Sequence, residues 1–177
     1  EANKRIRDLW YSMDSAAVQV ITEGGSVGVN GLLLAREYDY DNGADCLTIL
    51  LPSGRKLYYI NPSIGQNEWG RPSISYMGMD QKTKRWKRIE TYGGKLVENC
   101  VQAIARDCLA ASIDRLEAAK LPVVFHVHDE VVIDVAPFAD EDTMLSTVCS
   151  IMGEPVPWAP DLPLKAAGWV GYYFTKD

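Results

Sequence analysis

Apolar residues recur at helical spacing almost from the first residue. Ile6, Leu9, Trp10, Met13, Ala16, Ala17, Val20 and Ile21 form one stripe, which predicts an amphipathic helix over residues 2–22, capped by Gly24-Gly25. The period then shortens. Residues 26–90 read as a β-rich section in which Val27 to Leu34, Leu47 to Leu51, Lys56 to Ile60 and Ser73 to Met77 are strand-like. Pro52-Ser53-Gly54-Arg55 is the turn of a hairpin, and the acidic segment Glu37 to Asp45 reads as an exposed connection. Helical spacing returns in Val97, Val101, Ile104, Cys108 and Ala111, with Cys100, Ala105 and Leu116 beside them, and predicts a long helix over residues 94–119. Pro122 stops it. Two runs of β-branched and aromatic residues then flank His128-Asp129-Glu130, with a join too short for anything but a tight turn, so residues 123–135 read as a buried hairpin. Asp140-Glu141-Asp142 places negative charge on the first turn of a helix over residues 140–152. A connector with Pro155, Pro157, Trp158 and Pro160 leads to Leu162 to Ala166 and Trp169 to Phe174, which read as closing strands. With no repeat and no low-complexity linker, the chain reads as one α+β unit over residues 1–177.

Composition narrows the class. A chain of 177 residues can bury a real core, and 47% hydrophobic with 24% charged residues is ordinary for a globular protein. No apolar run approaches a membrane span, and the charged N-terminal residues do not resemble a signal peptide. Cys46, Cys100, Cys108 and Cys149 are scattered without a CxxC pair, as expected for small core residues in a reducing compartment. The first helix starts without an N-cap sequence and the chain without Met, which suggests a piece of a longer polypeptide. A net charge of −6 is awkward for a stand-alone nucleic-acid binder, so any cationic face must be local.

Candidate chemistry lies in a few places. A hairpin that lifts Asp129 to its tip can hold a metal ligand rigidly, although Asp is also common in turns for its own sake. His126 and His128, at alternate positions, could share a strand face with Asp129 nearby, as in a small metal-dependent hydrolase, but the chain has no third histidine. Lys82, Lys84, Arg85, Lys87 and Arg88 surround Trp86; cations neutralise phosphates and an indole can stack on a base, while the alternative is a solvated tip with Trp86 in the core. Lys95, Glu98, Gln102 and Arg106 share a stripe of the long helix, suited to a DNA groove or simply to water. Gly93-Gly94-Lys95 is not a Walker loop, and its glycines suggest close backbone approach rather than a phosphate cradle. Asp39, Asp41 and Asp45 lack the terminal glutamate of a calcium loop.

The order helix, tight turn, hairpin, helix resembles the C-terminal part of the palm of family A DNA polymerases, the relatives of bacterial DNA polymerase I. Val127-His128-Asp129-Glu130-Val131-Val132 resembles the third catalytic motif of that family. Val101-Gln102-Ala103-Ile104-Ala105-Arg106-Asp107 is similar to its Val-Gln-Gly-Thr-Ala-Ala-Asp segment. Thr91 to Asn99 matches the Thr-Tyr-Gly-Gly-Lys-Leu-Val-Glu-Asn run of phage and prophage members, and Glu1-Ala2-Asn3 with Leu9-Trp10 and Ala16-Ala17 resembles the segment after their fingers helix. The likeness covers nearly the whole chain, is specific over residues 88–135 and looser over residues 26–87; residues 26–90 read as a β-rich insertion before a palm core at 91–177.

The resemblance implies a DNA-directed DNA polymerase, a nucleotidyltransferase of DNA replication, acting on primer–template DNA and deoxynucleoside triphosphates in a bacterial host cytoplasm. Asp129 would ligate magnesium, Glu130 would be a secondary, partly water-mediated ligand, and His128 would approach the primer 3′ terminus. Gln102 would contact DNA near the primer end. Read from the residues themselves, Arg106 and Lys95 on the same stripe and the cations Lys84, Arg85, Lys87 and Arg88 are further candidate DNA contacts. Two magnesium ions would stabilise the attacking and leaving oxygens of an in-line displacement that releases pyrophosphate. The family's Asn four positions before that Gln is Glu98 here, with Asn99 one place later, and its Gly-Thr pair is Ala103-Ile104. Its Asp-Tyr-Ser-x-Ile-Glu palm motif and its fingers helix find no match, so the chain alone holds half an active site and needs the remaining palm, fingers and thumb. The alternative is a non-catalytic nucleic-acid-binding module.

Overall fold

The computed structural model describes residues 3–41, 43–66, 70, 72–136 and 138–175. It is a mixed α+β structure that divides into two compact units, Glu1–Gln102 and Ala103–Asp177. Helix α2, Gly93–Ala118, contributes residues to both.

In the first unit, α1 (Lys4–Glu23) precedes a six-stranded antiparallel meander: β1 Ser26–Val29, β2 Leu32–Asp39, β3 Ala44–Leu50, β4 Lys56–Gln66, β5 Pro72–Met79 and β6 Trp86–Thr91, paired in chain order. The apolar stripe of α1 supplies Met13, Ala16, Ala17, Val20 and Ile21 to the core. They are buried together with Leu34, Leu47, Ile49, Tyr59 and Ile74 of the sheet and Leu96, Val97 and Cys100 of α2. Burial of this set is the main favourable term for the unit, since each large apolar side chain removed from water contributes about 1.5–3 kcal/mol before entropy is charged against it. Gly24 ends α1 at φ 77°, its N–H donating to the Val20 carbonyl.

Two sequence expectations change here. Val27 to Leu34 is not one strand: Asn30 and Gly31 take φ 46° and 79° and turn β1 back onto β2, with Val29 opposite Leu32. An Asn-Gly pair between apolar runs is the usual signal for such a turn, because both central residues need positive φ. Nor is Glu37 to Asp45 a loop, since β2 and β3 stay paired out to Asp39 opposite Ala44. The acidic ends are held by cations. Arg36 donates to both Asp45 oxygens, from Nη2 at 2.6 Å, and also to the Ile21 carbonyl at the end of α1. Lys56 reaches both oxygens of Glu37 at 2.8 Å.

The Arg36 guanidinium donates to the Asp45 carboxylate and holds its pKa below the usual range. The sign follows from linkage: a carboxylate whose folded pKa is depressed adds stability above its unfolded pKa and loses it as pH falls through the folded one. The pair is about one-third exposed, with side-chain exposures of 38% and 32%, so solvent screening limits it to about 1 kcal/mol or less. Asp45→Asn is therefore expected to lower the urea unfolding free energy by up to about 1 kcal/mol at pH 7 and by much less near pH 3. A gap unchanged between the two pH values would show that Asp45 acts through something other than its charge.

In the second unit, α2 ends in a Schellman motif. Lys120 adopts φ 61°, its N–H donates to the Glu117 carbonyl at 3.0 Å, and the Leu121 N–H donates to the Leu116 carbonyl at 2.9 Å. The Glu117 carboxylate accepts the Val123 N–H at 2.7 Å and ties the helix end to β7 (Val123–Val127), which pairs antiparallel with β8 (Glu130–Ile133). Helix α3, Glu141–Met152, starts at Asp140, whose side chain accepts the Thr143 N–H at 3.0 Å. Arg115 of α2 donates to the carbonyls of Glu154 and Pro155 at 2.8 and 2.7 Å and fixes the chain leaving α3, beside fully buried Leu116 and Val156.

The closing strands expected at Leu162 to Ala166 and Trp169 to Phe174 are absent from the described residues. Pro163 has no N–H to give a ladder, and the Leu164 N–H bonds back to the Leu162 carbonyl in a tight local turn. The tail meets the hairpin instead, with Phe174 edge-on to Phe125 at 5.2 Å between ring centroids. The hairpin is not buried either: no residue of β7 or β8 is fully buried, and Val124 is 61% exposed. Among the described residues no helix is long and apolar enough to cross a membrane.

Candidate functional site

The hairpin forms, but its turn is shorter than the expected His128-Asp129-Glu130 tip, because Glu130 already opens β8. Val127 lies opposite Glu130, so His128 and Asp129 alone make the tip. His128 carries the turn at φ 53°, a conformation in which His is enriched over most non-glycine residues. Asp129 and Glu130 are exposed, and among the described residues neither side chain has a hydrogen-bond or ion-pair partner. Two exposed, unneutralised carboxylates adjacent in sequence suit a hard cation such as magnesium, which takes only one or two protein carboxylates and fills its octahedron with water and phosphate oxygens. They do not make a closed cage: among the described residues no group of three His, Cys, Asp or Glu is gathered to hold a metal.

The hydrolase arrangement of His126 and His128 does not form. Strand β7 stops at Val127, so the alternation that would put both rings on one face ends before His128. The calcium-like loop also fails, because Asp45 is taken up by Arg36 and Asp39 accepts the Asp41 N–H.

On α2 the exposed row forms as the spacing predicts. Lys95 pairs with Glu98 at 2.9 Å, Gln102 donates to Glu98 at 3.4 Å, and Arg106 is exposed one turn on. Val101, expected in the apolar stripe, is 59% exposed and borders this row. Asn99 faces away from it. Its amide donates to the Tyr59 hydroxyl at 3.0 Å, and Tyr59 is 5% exposed beneath Tyr76. Burial pushes the Tyr59 phenol pKa up, so the hydroxyl stays a proton-bearing partner for that bond. Asn99 is therefore committed to Tyr59 and does not join the exposed row.

The Gly93-Gly94-Lys95 turn is a packing feature. The Gly93 N–H donates to Asp14 Oδ1 at 2.8 Å, so a side chain of α1 already occupies the start of α2. A side chain at Gly93 would overlap the Trp10 carbonyl oxygen. No phosphate cradle is left there.

The cationic run divides. Arg88 lies across the sheet, donating from one guanidinium nitrogen to the Asn61 carbonyl and to the hydroxyls of Ser63 and Ser75 at 3.2, 2.8 and 3.3 Å. Lys87 pairs with Asp80 at 2.8 Å. Lys84 and Arg85 are exposed, and among the described residues neither has an ion-pair partner. Trp86 is 55% exposed rather than folded into the core. The residues that sequence reasoning did not single out are Asp80 and Asp14, both acceptors of backbone N–H groups; Asp80 four residues before Lys84 at a strand end was the available signal.

No protein-family model and no solved structure matches the chain. The chain is similar to the DNA polymerase of Bacillus phage SP02, with 44% identity over 178 aligned residues. That alignment takes in 99% of this chain and 26% of the phage protein, so the chain spans about a quarter of the length of the curated relative it matches.

Proposed function

We propose that the chain is the C-terminal palm portion of a family A DNA polymerase of phage or prophage type, with Asp129 as a metal-binding catalytic residue. The observation that carries the reading is Asp129 at a two-residue hairpin tip with Glu130 next to it at the start of β8, both exposed and unneutralised, in a chain similar along its length to part of a phage DNA polymerase. Magnesium held there would supply Lewis-acid stabilisation of charge developing on phosphoryl oxygens. The chain's own contribution is to hold the Asp129 carboxylate still, with Glu130 beside it and His128 at the same tip facing the primer terminus. Gln102, with Arg106 one turn on, would touch the primer–template duplex from the exposed row of α2.

The hairpin is only two strands wide, and its strands leave Val124 and Phe125 61% and 40% exposed. An uncovered sheet of this kind supports the view that more palm polypeptide completes it and supplies the second metal-binding aspartate, while fingers and thumb supply the triphosphate and duplex contacts. The test has two arms. The 177-residue chain alone, with magnesium and all four deoxynucleoside triphosphates, is expected to show no primer extension. The longer polymerase is expected to extend primers and to lose that activity on Asp129→Ala. Extension by the chain alone, or retained synthesis by the variant, would each overturn the assignment.

A further inference from the structure

The tip joining β5 to β6 carries a second set of groups with its own chemistry. Asp80 builds this tip. Its Oδ1 accepts the N–H groups of Lys82 and Thr83 at 3.1 and 2.6 Å and the Thr83 hydroxyl at 2.8 Å, while its other oxygen pairs with Lys87. The Lys84 N–H donates to the Asp80 carbonyl, and the Asp80 N–H donates to the Arg85 carbonyl, both at 2.9 Å. The turn is thus closed from both sides, and the charge of Asp80 is used up within it. What remains outward is positive: Lys82, Lys84 and Arg85 are exposed, with no ion-pair partner among the described residues, in a chain of net charge −6.

Beside these cations lies an aromatic surface. Trp86 opens β6 directly opposite Met79, and the two are 55% and 49% exposed. Single exposed apolar side chains are ordinary. An exposed indole next to three unpaired cations on a pre-formed turn is a specific combination: cations track a phosphate backbone, and an indole stacks on the face of a base. Base faces are free only in an unpaired strand, since duplex stacking covers them. We propose that the β5–β6 tip is a binding site for single-stranded nucleic acid, with Lys82, Lys84 and Arg85 on phosphates and Trp86 stacked on a base. Arg88 and Lys87 hold the sheet and the turn and are not part of it. The site needs neither Asp129 nor a metal.

The experiment is fluorescence anisotropy of the full chain with labelled oligothymidylate of about 20 nucleotides, without nucleotide or magnesium, at several KCl concentrations from about 50 to 200 mM. Lys84→Glu with Arg85→Glu is expected to weaken binding at least about tenfold at low salt and to flatten the log–log salt dependence by about 1.4, roughly 0.7 for each phosphate no longer neutralised. Trp86→Ala is expected to weaken binding about tenfold with the salt slope unchanged, because stacking releases no counterions. Lys4→Glu with Arg5→Glu, the same charge change on exposed positions of α1, is expected to stay within about twofold of the parent. A duplex of equal length should bind more weakly than the single strand, and an oligouridylate binding as tightly or more tightly would assign the same site to RNA. Undetectable binding at low salt, equal loss in the α1 control, a neutral Trp86→Ala or a preference for duplex would each overturn the proposal. Because the assay contains no magnesium, its failure is separable from failure of the polymerase reading.

Discussion

Asp129→Ala in the longer polymerase is expected to lower single-nucleotide incorporation at least about 10³-fold, equivalent to about 4 kcal/mol of transition-state stabilisation, with primer–template affinity within about twofold of the parent. The size follows from how little else at the tip can substitute. Magnesium sites of this class use only one or two protein carboxylates, so each carries a large share of the ion's orientation. The backbone of the tip is set by the Val127–Glu130 pairing and the positive φ of His128, not by the Asp129 side chain, so its removal should not unfold the hairpin. Asp129→Asn keeps the shape and removes the charge, and should be nearly as damaging. Glu130→Ala should cost less if Glu130 is the secondary ligand proposed above. Quench-flow incorporation with a parallel DNA-binding measurement checks the set. If Glu130→Ala proves worse than Asp129→Ala, the roles assigned to the two carboxylates are reversed.

The second large effect concerns the frame. Gly93→Ala is expected to destabilise the chain by about 3 kcal/mol or more, against the roughly 5–15 kcal/mol of stability usual for a folded domain. A Cβ at this position would overlap the Trp10 carbonyl oxygen and would sit 2.8 Å from the Asp14 nitrogen and 2.9 Å from Asp14 Cβ. Two of these neighbours are helical backbone, and helix backbone yields only by moving the helix. Separating α1 from the start of α2 would also break the bond from the Gly93 N–H to Asp14, a cap of about 1 kcal/mol. Gly94→Ala provides the contrast. Its Cβ would meet the ring of Tyr92 at 2.8 Å, but Tyr92 is 64% exposed and can swing away, and alanine is the better helix former. Urea denaturation of the two variants should therefore differ by about 2 kcal/mol or more. Equal midpoints would mean that the helices do not approach as closely as Gly93 requires.

Much of the architecture was legible along the chain because it rests on short-range regularities. The stripes of α1 and α2, the turn at Pro52 to Arg55, the acidic start of α3 and the tight join at His128-Asp129 each follow from periodicity or turn chemistry within a few residues. The same locality explains two errors. Val27 to Leu34 looks continuous unless Asn30-Gly31 is given its full weight. The tail reads as strands by composition, but a strand also needs an edge to pair with, and Pro163 removes a donor.

What the sequence by itself determined is on which element each candidate residue stands: Asp129 at a hairpin tip with Glu130 just after it, Gln102 and Arg106 on an exposed helix row, and cations gathered around Trp86. What only the tertiary structure decided is which of these remain available. Arg88 is held by Ser63 and Ser75 and Asn99 by Tyr59, from 25, 13 and 40 residues away, and Lys87 is neutralised by Asp80. The physical reason is that a side chain's type and local face follow from its neighbours in sequence, whereas its hydrogen-bond partner is chosen by packing between segments that sequence spacing does not relate.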